Sequence, residues 1–113
     1  MKLIYIASPY TVGDVGFNVR VQMDAAHRIL DMGHCPVAPL LSHFLHIHRS
    51  RPRLDWLAMD MALLGRCDIL LRLGGASPGA TAEVAFAGKN GIPVVLGWGQ
   101  LVKMLDPESY GRA

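Results

Sequence analysis

Apolar positions fall into two kinds of pattern along this chain. Leu3-Ile4-Tyr5-Ile6-Ala7 is an unbroken β-rich run that stops at Ser8-Pro9, as a strand buried on both faces does. Val21, Ala25, Ile29 and Met32 then recur at helical spacing, while Arg20, Asp24, Arg28 and Asp31 occupy another face. That pattern predicts an amphipathic helix over residues 17–32, stopped by Gly33. Residues 34–38 form a short second strand closed by Pro39, whereas residues 40–53, with their prolines and clustered histidines, fit neither pattern. A second helix is expected over residues 54–66 and a third strand over residues 68–73, running into Gly74-Gly75. Ser77 as N-cap and Pro78 at the first helical position open an alanine-rich helix that continues over residues 79–90 to Gly91. Residues 92–96 read as a fourth strand and residues 100–105 as a short last helix.

Strands alternating with helices imply βαβ units, right-handed crossovers and a parallel sheet of four to five strands. Ligands bind such sheets beyond the carboxyl ends of the strands, where the strand order reverses. The first strand is therefore expected beside the second and third, with the loops of residues 8–16 and 74–79 converging at one edge. At 113 residues the chain fits a single domain over residues 1–113, and a deep pocket in so short a chain favours completion by a second subunit.

The composition removes several function classes. A hydrophobic fraction of 51% with 18% charged residues describes a globular interior rather than a disordered or coiled-coil chain. A net charge of +2 gives no argument for a nucleic-acid polymer as partner. The run His48-Arg49-Ser50-Arg51-Pro52-Arg53 reads as a solvated loop in preference to a phosphate-steering patch. Cys35 and Cys67 stand in no metal or redox spacing, so both read as buried thiols in a reducing compartment. No apolar run approaches about 18 residues, and Met1-Lys2 leads straight into a strand. The expectation is a cytoplasmic protein with no membrane partner, ending in a tail over residues 106–113 whose order depends on docking.

Two carboxylates stand out. Glu83 lies on the second turn of the helix after the glycine-rich loop, too far along to share a capping box with Ser77. Its neighbours are small or apolar, so it is either a solvent-facing glutamate or a functional carboxylate. Asp60, between Met59 and Met61, shares a helical stripe with Trp56, Leu63 and Leu64; it too is either exposed or employed. Paired carboxylates in unlike surroundings are what glycosidic chemistry needs, one attacking the anomeric carbon and the other managing protons. Asp68 reads as a strand-opening cap. The loop from Gly74 to Gly79 ends at a helix N-terminus, which suits a phosphate, although an ordinary βα turn has the same shape. Ser8-Pro9-Tyr10-Thr11 adds hydroxyls at the same edge, and His43 reaches it through the Pro39 loop. The spacing of His43, His46 and His48 fits no metal pair, so neither a metal nor another cofactor is expected. No serine stands in a nucleophile elbow.

Taken together, Ile4-Tyr5-Ile6-Ala7-Ser8-Pro9-Tyr10, Asp60 before Cys67-Asp68-Ile69, Ser77-Pro78-Gly79-Ala80-Thr81-Ala82-Glu83 and Gly91-Ile92-Pro93-Val94 resemble the nucleoside 2-deoxyribosyltransferase superfamily over most of the chain. The resemblance implies a flavodoxin-like, Rossmann-like three-layer domain and cleavage of an N-glycosidic bond. It assigns the nucleophile to Glu83, sugar contact and proton transfer to Asp60, and positioning of the glutamate to Tyr5. Base-exchanging members carry an acidic residue six positions before the glutamate. The 5'-monophosphate hydrolases carry a serine there, as Ser77 does here, which points to a nucleotide substrate. Substrate contacts are then expected from Ser8, Pro9, Tyr10, His43, Ser77 and Gly79. In two places the chain departs from the hydrolases: the first loop lacks their glycine- and arginine-containing phosphate loop, and the C-terminal tail offers no match to their partner-subunit residue. The rival readings are a base-exchanging transferase, a phosphoribohydrolase whose Pro-Gly-Gly-x-Gly-Thr-x-x-Glu segment is echoed by the glycines and Thr81-Ala82-Glu83 but whose Pro-Gly-Gly is missing here, and a nucleotide sensor without turnover.

Overall fold

The computed structural model describes residues 1–107. The element order is β1 (Leu3–Ala7), α1 (Val15–Asp31), β2 (Cys35–Val37), a 3-10 turn (Pro39–Leu41), α2 (Ser42–His48), α3 (Arg53–Leu64), β3 (Ile69–Arg72), α4 (Pro78–Lys89), β4 (Val94–Leu96) and α5 (Trp98–Leu105). The four strands form one parallel sheet in the order β2-β1-β3-β4. The strand order reverses at β1, which pairs with β2 on one side and β3 on the other, as the switch point of an open parallel sheet led us to expect. Tyr5 stands in register with Val37 and with Leu70.

Side chains alternate across a strand, and this alternation splits the core into two layers. Ile4, Ile6, Ile69, Leu71 and Val95 pack on one face with Ala25 and Ile29 of α1 and Leu101 of α5. Tyr5, Ala7 and Leu70 pack on the other with Leu64 of α3 and Ala80 and Ala87 of α4. Burial on both faces is why β1 reads as continuously apolar. The same alternation turns Tyr5 toward the layer that contains α4.

Several boundaries differ from the sequence pattern for local reasons. Helix α1 begins at Val15 because the Asp14 side chain caps it, accepting from the Phe17 N–H at 2.7 Å. Helix α5 begins at Trp98, directly after Gly97 at φ 91°. The ambiguous stretch resolves into the 3-10 turn and α2, a seven-residue helix that buries none of its residues and so leaves no amphipathic signature. Ser77 caps α4 as expected, accepting from the Ala80 N–H at 3.1 Å. Most of the predicted tail lies outside the described residues. Among the described residues no helix is long and apolar enough to cross a membrane.

The loops after β1 and β3 touch. Gly74 has φ +80°, and a Cβ there would stand 2.8 Å from Pro9 Cδ. Glycine is required on both counts, by the backbone conformation and by the closeness of the proline ring.

Candidate active site

A cleft of about 530 Å³ opens at the carboxyl edge of β1 and β3, between the 3-10 turn, one face of α3 and the start of α4. Glu83 and Asp60 both line it. The Tyr5 hydroxyl donates to Glu83 Oε2 from β1. Because strand alternation fixes Tyr5 and the helix carries Glu83 on the second turn past its Ser77 cap, this contact joins residues 78 apart in sequence.

Burial dominates the electrostatics. Glu83 is 8% exposed, and burial pushes its carboxyl up to about 7; the Tyr5 hydrogen bond opposes the shift, the Asp60 charge adds to it, and Arg72 opposes it. Burial also pushes Asp60 up to about 7. Tyr5 is driven far above the usual phenol range, first by burial and then by the charges of Glu83 and Asp60, so it remains a hydrogen-bond donor. Asp60 Oδ1 is buried and has no hydrogen-bond partner among the described residues. An unsatisfied buried oxygen of this kind costs about 1–3 kcal/mol, and a hydroxyl or proton brought by a ligand would satisfy it. Two carboxyls poised near neutrality can divide the roles of nucleophile and proton carrier.

The remaining predicted residues divide between the cleft wall and its supports. Ser8, Tyr10, Ser77 and Gly79 line the cleft. Pro9 and His43 stand behind it: Pro9 packs against Gly74, and His43 Nδ1 is hydrogen-bonded to the Tyr10 hydroxyl at 2.6 Å. Ser77 Oγ is occupied as a helix cap. Asp68 lies away from the cleft and accepts from the Leu3 N–H at 2.8 Å, the role expected of a strand-opening aspartate. Among the described residues no group of three His, Cys, Asp or Glu side chains is placed to hold a metal ion.

Sequence reasoning missed several contributors. Gln22 is fully buried; its amide donates to Ser8 Oγ at 2.8 Å and to the Ile6 carbonyl at 3.2 Å, and its oxygen accepts from the Leu40 N–H at 2.8 Å. One side chain thus ties the end of β1 to the 3-10 turn. The signal was present: Gln22 lies on the stripe of Val19, Ala25 and Ile29, all buried. Arg72 donates to the carbonyls of Leu73 and Gly75, shaping the loop before α4. Arg51 and Arg53 are exposed, as a solvated loop would leave them, yet both line the cleft together with His46, Trp56 and Leu57.

Residues 2–96 match the model of a family described as Domain of unknown function (DUF7768). The chain belongs to this family. The matched segment of the DUF7768 domain includes all four strands and every residue of the cleft wall. Searches of curated proteins and of solved structures give no match.

Proposed function

We propose that this DUF7768 domain cleaves the N-glycosidic bond of a deoxynucleoside 5'-monophosphate, with Glu83 as nucleophile. The observation that carries the reading is a buried glutamate on the cleft wall, held by a phenol and faced by a second carboxyl that has an unpartnered oxygen. The resemblance to the nucleoside 2-deoxyribosyltransferase superfamily supports the same three residues.

In the proposed reaction a Glu83 oxygen bonds to the anomeric carbon as the bond from that carbon to the base nitrogen breaks. The bonding pair leaves with the base, which takes up a proton from solvent water. Water then attacks the glycosyl ester, restoring the carboxylate and giving the free sugar phosphate. Tyr5 fixes the glutamate. Asp60 holds a sugar hydroxyl through its unpartnered oxygen and takes the proton from the attacking water. The hydroxyls of Ser8 and Ser77, as donors, and the Gly79 N–H at the start of α4 receive the 5' end. The preference for a deoxy sugar rests on the resemblance. The same proposal places the protein in a reducing, cytoplasmic setting, in keeping with two free thiols.

The test is chromatographic detection of free base. Wild type is expected to release base from deoxynucleoside 5'-monophosphates. Glu83→Ala lowers release by about 10³-fold or more, and Asp60→Asn by about 10²-fold or more. Release only when a second base is supplied would convert the reading to a base-exchanging transferase. Binding without release would convert it to a sensor. Wild-type rates in Glu83→Ala would end the nucleophile assignment.

A further inference from the structure

One face of α3 runs along the cleft. Arg53, Trp56, Leu57 and Asp60 stand at i, i+3, i+4 and i+7, the spacing of a single helical stripe, and all four line the cavity. Asp60 marks the end where chemistry occurs. From there the stripe passes the Trp56 indole and the Leu57 side chain and ends at the Arg53 guanidinium, about 10 Å of helix rise away.

The two ends of the cleft offer different chemistry. Ser8, Ser77, Gly79 and Ala80 present hydroxyls and the start of a helix to the cleft. The α3 end presents an indole and a leucine, a surface for a planar ring, closed by a planar fork of N–H donors. Trp56 is fixed there: its Nε1 donates to His46 Nδ1 at 3.0 Å, and the two rings meet edge to face with centroids 5.7 Å apart. Arg51 shares the rim but is paired with Asp55 at 3.4 Å. Arg53 has neither an acidic partner nor a hydrogen bond among the described residues.

We infer that the α3 stripe is the leaving-base subsite and that Arg53 selects an oxopurine, guanine or hypoxanthine, through adjacent oxygen and nitrogen acceptors; this rests on the glycosidic reading above. The two parallel donors of a guanidinium match the O6 and N7 acceptors of an oxopurine. Adenine places an amino donor beside N7, and thymine sets a ring N–H between its two carbonyls, so each leaves part of the fork opposed by another donor. Cytosine has adjacent O2 and N3 acceptors, but that pair lies beside the glycosidic nitrogen, closer to the anomeric carbon than O6 and N7 and out of line with a fork at the far end of the stripe. The same contact assists departure. As the bond from the anomeric carbon to N9 breaks, the electron pair leaves with the purine and spreads toward N7 and O6, where Arg53 stabilises it before water supplies the proton.

Two measurements test the inference. In the first, kcat/KM for base release is compared across the 5'-monophosphates of deoxyguanosine, deoxyinosine, deoxyadenosine, deoxycytidine and thymidine. The oxopurine nucleotides are expected to exceed the others by at least tenfold. Both Arg53→Ala and Arg53→Lys remove that preference, because lysine keeps the charge and loses the fork. A wild type without oxopurine preference, or an Arg53→Ala protein that retains it, overturns the inference while leaving base release intact. In the second, free hypoxanthine and free adenine are titrated against Trp56 fluorescence in a Trp98→Phe protein. Hypoxanthine is expected to bind at least tenfold more tightly, and equal affinities overturn the subsite. Because this titration requires no turnover, tight hypoxanthine binding in a protein that cleaves no nucleotide would remove the glycosidic reaction and keep the base subsite.

Discussion

Glu83 is ionised at a cost, and the sign of that cost can be measured. Its carboxyl is raised from the ordinary 4.5 to about 7 by burial, so between those values the native state holds a proton that the unfolded chain has released. Stability therefore falls as pH rises from 4.5 to 7 and levels off above the native value. Glu83→Gln keeps an acceptor for Tyr5 and removes the charge. It is expected to stabilise the fold by about 1–3 kcal/mol at pH 8 and to give little gain at pH 4, as read from urea unfolding at the two values. Equal gains at both would show that the carboxylate is not strained by burial. In the proposed reaction the dependence runs the other way, since Glu83 as nucleophile must be ionised, so base release is expected to rise through pH 7. At this scale Glu83 was legible as a carboxylate that capping does not explain, and Asp60 as a charge on an apolar stripe. The unpartnered Asp60 oxygen was not legible, because it depends on three elements meeting.

Among the elements, the strands were easiest to read, since β1 and β3 are buried on both faces and admit little but apolar residues. Helix α2 was hidden because it buries nothing; it is joined to the site by His43 and His46, whose partners Tyr10 and Trp56 lie elsewhere in the chain. Reading the basic run as a loop detached Arg53 from α3, although the spacing of Arg53, Trp56, Leu57 and Asp60 was present in the sequence. The junction of β1 with the 3-10 turn depends on Gln22, which makes three buried hydrogen bonds. Gln22→Leu preserves volume but leaves the Leu40 N–H and Ser8 without their partner. We expect a loss of about 2–4 kcal/mol by urea denaturation; a loss below about 0.5 kcal/mol, the size of an ordinary surface substitution, would show that the tie is not structural.

At the scale of the whole molecule, self-association is a proposal. Leu41, Phe44, Leu45 and Ile47 on and beside α2, with Leu54 on α3, are each at least 55% exposed, an unusual concentration of apolar surface for a monomer. A dimer or larger assembly is expected by light scattering, and Phe44→Glu with Leu45→Glu should shift it toward the monomer. A monomer at all concentrations would reject the proposal. The Tyr5–Glu83 contact carries a further consequence, this time for the order of events during synthesis. Strand β1 is made first but is flanked by β2 and β3, so it waits for partners that emerge later. Its tyrosine then waits for a glutamate 78 residues downstream, several seconds of elongation at ribosomal rates. Long-range parallel pairing of this kind closes late. The nascent chain therefore carries Tyr5 long before its partner Glu83 exists, and the proposed active site is complete only once nearly the whole sheet has closed.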